Sequence, residues 1–168
     1  AEINGRKVKW IAQDTFLYAN TMKTLTFSEG IEGISNLFAC NCSNLKKITL
    51  PSTATLGTVS NGGFYTGLDG FVDGCPALTE ISVSEENQDL VVIDGILYNR
   101  ELTDLIAYPA GATKECVVIP DGIRVIRGDA FSDNPYLKKV VFPDSVRTIG
   151  YWAFDGCSSL EEINIPPH

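Results

Sequence analysis

Five cysteines, Cys40, Cys42, Cys75, Cys116 and Cys157, are the residues of this chain whose type and spacing come nearest to chemistry. Cys40-Asn41-Cys42 has the density of a metal site, but zinc wants four sulfur or nitrogen ligands. No second close cysteine pair exists, and the one histidine is His168, the last residue. Neither a metal centre nor a histidine-based triad is therefore expected. Cys42, Cys75 and Cys157 each stand three residues before a leucine: Leu45, Leu78 and Leu160. That shared position puts them in a line along a repeated interior, where a small polarisable residue suits a turn as a free thiol. The alternative is a disulfide between Cys42 and Cys75. With five cysteines, a monomer keeps at least one thiol unpaired in either case.

Carboxylates are the other abundant reactive group, 21 Asp and Glu against 13 Lys and Arg. A glycosidase-type pair needs a pocket that shifts the pKa of one member. Most acids here fall at turns (Asp94, Asp121, Asp144, Asp155) or on outward strand positions (Glu80, Glu162), where water solvates them. No G-x-S-x-G, phosphate loop or G-x-G-x-x-G occurs, and Gly67, Gly70 and Gly74 have the wrong spacing for one. The reading is a chain that is no enzyme and takes no cofactor. A net charge of −8 disfavours nucleic acid and anionic lipid as partners. No apolar run approaches the ~20 residues that cross a bilayer, and AEINGRKVKW lacks the apolar stretch of a signal peptide. Asn41-Cys42-Ser43 fits a glycosylation sequon without informing the argument.

The elements that must position these residues are repeats. Laying residues 123–145 over 146–168 pairs Ile126 with Ile149, Phe131 with Phe154, Leu137 with Leu160, Val140 with Ile163 and Pro143 with Pro166, at an offset of 23. The same frame ends strands at Ser28, Pro51, Ser84 and Pro120, with steps of 23, 33, 36, 23 and 23 along the series. In L-x-x-I-x-I-P the last apolar residues alternate with a polar one, the pattern of a half-buried strand, and proline then ends it. The Ala-Phe-x-Gly-Cys stretch has room for one helical turn at most. A single unit buries almost nothing; stacked units give parallel strands about 4.8 Å apart and a continuous core.

IPDGIRVIRGDAFSDNPYLKKVVFPDSVRTIGYWAFDGCSSLEEINIP resembles the leucine-rich repeats of BspA-type bacterial surface proteins, and VVIDGILYNRELTDLIAYPAGATKECVVIP resembles the hairpin insertion that recurs among them. The fold class expected is a leucine-rich-repeat solenoid, β-rich with short helical turns, a right-handed coil with a parallel strand ladder. It forms one domain over residues 1–168 of about six 23-residue units, with inserts near 53–70 and 87–108, the second a β-hairpin that protrudes from the solenoid or lies along it. The resemblance implies a ladder on the concave side, display at the cell surface or secretion, and adhesion through a protein partner on a host or neighbouring cell. A carbohydrate-binding accessory protein and a structural spacer are the alternatives.

Side-chain alternation turns two rows outward from the strands. One is Thr24, Lys47, Glu80, Cys116, Lys139 and Glu162; the other is Thr26, Thr49, Ser82, Val118, Val141 and Asn164. A protein partner is expected across them. Phe64 and Tyr65, beyond the Asn61-Gly62-Gly63 turn, are either an exposed contact or folded back on the coil, and Tyr136 and Tyr151-Trp152 are further exposed candidates. Phe131 and Phe154 are expected buried with stacked rings. Residues 1–7 form a short lid over Val8 and Ile11, and the edge of residues 160–165 is open, either because the protein continues or because it pairs with a second copy in a weak homodimer.

Overall fold

Apolar–polar alternation ahead of each Pro or Ser becomes a short strand, and the repeat step stacks those strands in parallel. The computed structural model describes residues 2–3, 6–56 and 70–167. Phe64, Tyr65 and His168 lie outside the described residues.

An antiparallel pair comes first, β1 (Glu2–Ile3) with β2 (Arg6–Lys7). The first three coils carry β3 (Trp10–Ile11) and β4 (Thr24–Thr26), β5 (Gly33–Ile34) and β6 (Lys47–Leu50), then β7 (Thr55–Leu56) and β8 (Glu80–Val83). An insert follows, built of β9 (Leu90–Ile93), β10 (Ile96–Asn99) and β11 (Asp104–Ala107). The coils then resume as β12 (Cys116–Val118), β13 (Val125–Ile126), β14 (Lys139–Val141), β15 (Thr148–Ile149) and β16 (Glu162–Asn164).

β4, β6 and β8 pair in parallel, with Leu25, Ile48 and Ile81 in register. β12, β14 and β16 do the same with Val117, Val140 and Ile163. The repeat frame predicts a single ladder of six long strands, whereas the structure has two of three, because β8 and β12 lie in different sheets. The insert is the cause. β9 and β10 form an antiparallel hairpin around Asp94-Gly95, whose φ values of 51° and 81° are those of a two-residue primed turn. β10 pairs with β11, and β11 joins β13 in parallel, with Leu105 opposite Ile126. The insert thus extends the second sheet, whose order is β15-β13-β11-β10-β9.

Alternation along the insert gives it two apolar faces. Leu97 and Ile106 pack with the core of the first three coils, around Ile34, Phe38, Leu45 and Ile48. Ile96, Tyr98 and Leu105 pack with the core of the last coils, around Ile126, Phe131 and Val140. It is a wall between two cores rather than an appendage.

The short helical turns are single hydrogen-bonded turns, and no helix occurs among the described residues. Ser132 N donates to Asp129 O at 3.0 Å and Asp155 N to Trp152 O at 2.9 Å, but Asp129 and Trp152 have φ of 52° and 54°, and the left-handed conformation stops a helix from propagating. Four residues further on a second left-handed position recurs at Tyr18, Asn41, Asp133 and Gly156, and Gly74 is left-handed at the equivalent place. A Cβ on Gly156 would stand 2.6 Å from Asp133 Oδ1 and 3.1 Å from its Cα, so a side chain there would displace Asp133 as well as strain the backbone.

Candidate functional site

The outward rows exist as two separate patches. On the first, Lys47 Nζ meets Glu80 Oε1 at 2.6 Å, and Ser82 Oγ reaches Thr49 Oγ1 at 3.1 Å. Thr24 and Thr26 complete it, both exposed. On the second, Lys139 Nζ meets Glu162 Oε1 at 2.6 Å, and the hydrogen bond to Glu162 holds the Lys139 ammonium above its ordinary pKa. Cys116 and Val118 are exposed beside it, Val118 by 65%. Each patch thus repeats a Lys–Glu pair in the same register, but the first offers hydroxyls where the second offers Val118 and Val141. Asn164 has an internal task. Its Oδ1 accepts from Phe142 N at 2.8 Å and its Nδ2 donates to Phe142 O at 3.0 Å, which extends the ladder beyond Val141.

All five cysteines are free thiols. Cys42 Sγ donates to Phe16 O at 2.8 Å, Cys157 Sγ to Phe131 O at 3.0 Å and Cys75 Sγ to Ala39 O at 3.8 Å, so each repeat thiol bonds back to the preceding stretch of coil. Burial pushes the thiols of Cys40 and Cys75 up to about 12, which keeps them protonated and poor nucleophiles. Among the described residues no group of three His, Cys, Asp or Glu is placed to hold a metal ion. Tyr151 and Trp152 are each 70% exposed, with ring centroids 6.3 Å apart.

Sequence reasoning passed over two buried asparagines. Asn134 takes the position held by cysteine one unit later. Its Nδ2 donates to Pro109 O and Ala112 O while its Oδ1 accepts from the N–H groups of Tyr136 and Leu137. Asn87 does the same at the start of the insert, donating to Pro51 O and Ala54 O and accepting from Asp89 and Leu90. The signal for Asn134 was present, since Asn134-Pro135-Tyr136-Leu137 aligns with Cys157-Ser158-Ser159-Leu160. Asn87 had no repeat partner to reveal it.

The BspA type leucine rich repeat region matches this sequence in six copies, over residues 2–68 and 111–168. The chain belongs to the BspA-type leucine-rich-repeat family. The pneumococcal vaccine antigen PcpA is similar to it over 95% of this chain and 37% of its own, at 31% identity and a TM-score of 0.83. A leucine-rich cell surface protein of Faecalibacterium prausnitzii matches over 89% of this chain and 43% of its own, at 27% identity and a TM-score of 0.65. A leucine-rich repeat protein of Eubacterium ventriosum shares the fold, at 17% identity over 93% of this chain and 57% of its own, with a TM-score of 0.57. The chain therefore spans well under two thirds of each of these solved proteins. A search of curated proteins returns no match. None of these similarities indicates a catalytic family, and among the described residues no helix is long and apolar enough to cross a membrane.

Proposed function

We propose that this repeat segment is a non-enzymatic protein-binding module, secreted or held at a bacterial cell surface, and that it serves adhesion to a host or neighbouring cell. The observation that carries this reading is the register of the outward rows. Thr24, Lys47 and Glu80, like Cys116, Lys139 and Glu162, are held side by side on rigid parallel ladders. Mixed-charge side chains held in register by the backbone give specificity through complementary charge. The family and the cell-surface character of the F. prausnitzii relative support the setting. Thr24, Lys47, Thr49, Glu80 and Ser82 form one contact patch, Lys139, Val141, Glu162 and Asn164 the other, and Phe64 and Tyr65 are added as contacts from outside the described residues.

The test is retention of intact host or bacterial cells on the immobilised chain. Retention should disappear when the cells are first treated with protease, and should fall with rising salt. Reversing both Lys47 and Lys139 to Glu should weaken it, while folding stays near that of the parent because exposed ion pairs contribute only about 0–1 kcal/mol each. Unchanged retention by the double reversal would remove the ladder faces from the binding site.

A further inference from the structure

A second and chemically different site opens where the insert meets the third coil. A cleft of about 330 Å³ lies between β7 and the strands of the insert. Leu56 is its partly exposed apolar residue, with only the edges of the buried Leu90 and Ile106 behind it. Its polar wall carries the carboxylates of Asp89, Glu101 and Asp104 and the guanidinium of Arg127. Several of these residues fall between 68 and 111, outside the stretch the repeat family matches, so the repeat itself does not dictate the cleft.

Arg127 is the anomaly. Its side chain is 19% exposed, and its pair with Asp104, itself 21% exposed, is the most buried ion pair among the described residues. A guanidinium has five N–H donors. The bond to Asp104 Oδ2 is long, 3.3 Å from Nη2, and Nε is buried without any partner, alone in this among the side-chain polar atoms described. Leaving a charged donor desolvated and unsatisfied is costly, and buried polar groups in native proteins are otherwise paired. Nε itself is covered, so what acceptors entering the cleft would meet is the 19% of the side chain that stays exposed.

The lining narrows what those acceptors belong to. An anion that approached Arg127 would face three carboxylates, and a cation, though attracted to the acids, would offer the guanidinium no acceptor. Neutral hydroxyls suit both, because each can accept from the guanidinium and donate to a carboxylate. A ligand with hydroxyls on its edge and C–H groups on its face also suits the side chain of Leu56. We propose that this cleft binds a hydroxyl-rich ligand, a pyranose residue of a carbohydrate, with Arg127, Asp104, Asp89 and Glu101 meeting its hydroxyls.

Saturation-transfer NMR on the full chain, with the methyl pyranosides of glucose, mannose, galactose and N-acetylglucosamine, provides the test. At least one should receive saturation, and calorimetry should show its affinity fall about tenfold or more in the Arg127→Ala variant. Because that variant also loses the Asp104 pair, Asp89→Asn with Glu101→Gln serves as the fold-neutral check, with weakening expected there too. The Lys47→Glu, Lys139→Glu double variant should bind the sugar like the parent, which separates this site from the ladder faces. A glycoprotein compared before and after enzymatic deglycosylation tells a displayed glycan from a free sugar, and binding by either source upholds the site. The proposal is overturned if no pyranoside receives saturation, if the Asp89 and Glu101 changes leave affinity untouched, or if lysine amide binds in place of the sugars.

Discussion

At the residue scale, stability is concentrated in a few side chains that touch neighbouring coils. Phe131 is fully buried, its ring 4.9 Å from that of Phe154 with 12° between the planes, and 5.4 Å from Tyr108. Phe131→Ala should cost about 3–5 kcal/mol in urea unfolding, the usual sum of lost transfer energy and cavity. Phe154 is only half-buried, so Phe154→Ala should cost distinctly less; equal losses would mean that the terminal coil packs more tightly than the structure shows. Acid behaviour has its own residue-scale origin. Burial, followed by the charge of Asp73, holds the Asp133 carboxyl above its ordinary pKa. The folded state then binds that proton more readily than the unfolded chain, so the group favours folding at acid pH and opposes it as pH rises through the carboxyl range. Asp133→Asn should therefore be more stable than the parent at neutral pH, with the gain shrinking toward pH 3. Glu29 acts the other way. Ser52 donates to it from N at 3.0 Å and from Oγ at 2.7 Å, which lowers its pKa, so its contribution is lost as pH falls.

At the scale of elements, the insert is the part that departs from the repeat, and its turn sets its register. Asp94 and Gly95 both sit at positive φ, and Ile96 pairs with Ile93 directly beyond them. Nothing stands within 4 Å of a Cβ added at Gly95, so a substitution there meets backbone strain alone. Gly95→Ala should destabilise the chain by about 1–2 kcal/mol, the penalty of a left-handed residue with a side chain. Amide exchange should quicken first in β9 and β10. No change in their protection would show that packing of Leu97 and Ile96, rather than the turn, dictates the pairing.

On the scale of the whole molecule, stacked coils approximate a one-dimensional array in which each unit is stabilised by its neighbours. Here the array contains a wall, with Leu97 and Ile106 facing one core and Ile96, Tyr98 and Leu105 the other. The parent should unfold as one unit in denaturant, with β6 and β14 losing amide protection at the same urea concentration. Leu97→Ala should weaken the contact of the wall with the first core and separate the two transitions, β6 opening before β14. Coincident transitions in that variant would show that the cores are coupled by routes other than the insert, such as the bond from Gly111 N to Leu78 O.

Spacing and alternation, which are local properties, determined most of the repeat. The 23-residue step put Leu25 with Ile48 and Val140 with Ile163, and the polar residues between them faced outward because adjacent strand side chains must. Other features depend on contacts between segments far apart in the chain, which no local pattern encodes. The division of the ladder at β8 arises because β11, 21 residues before its partner in β13, takes the place a regular coil would occupy. Asn87 reads as an ordinary polar loop residue until Pro51 and Ala54 are seen above it with carbonyls to satisfy. The cleft at Arg127 joins β7 to an insert more than thirty residues further along, so its chemistry exists only once the coils have stacked.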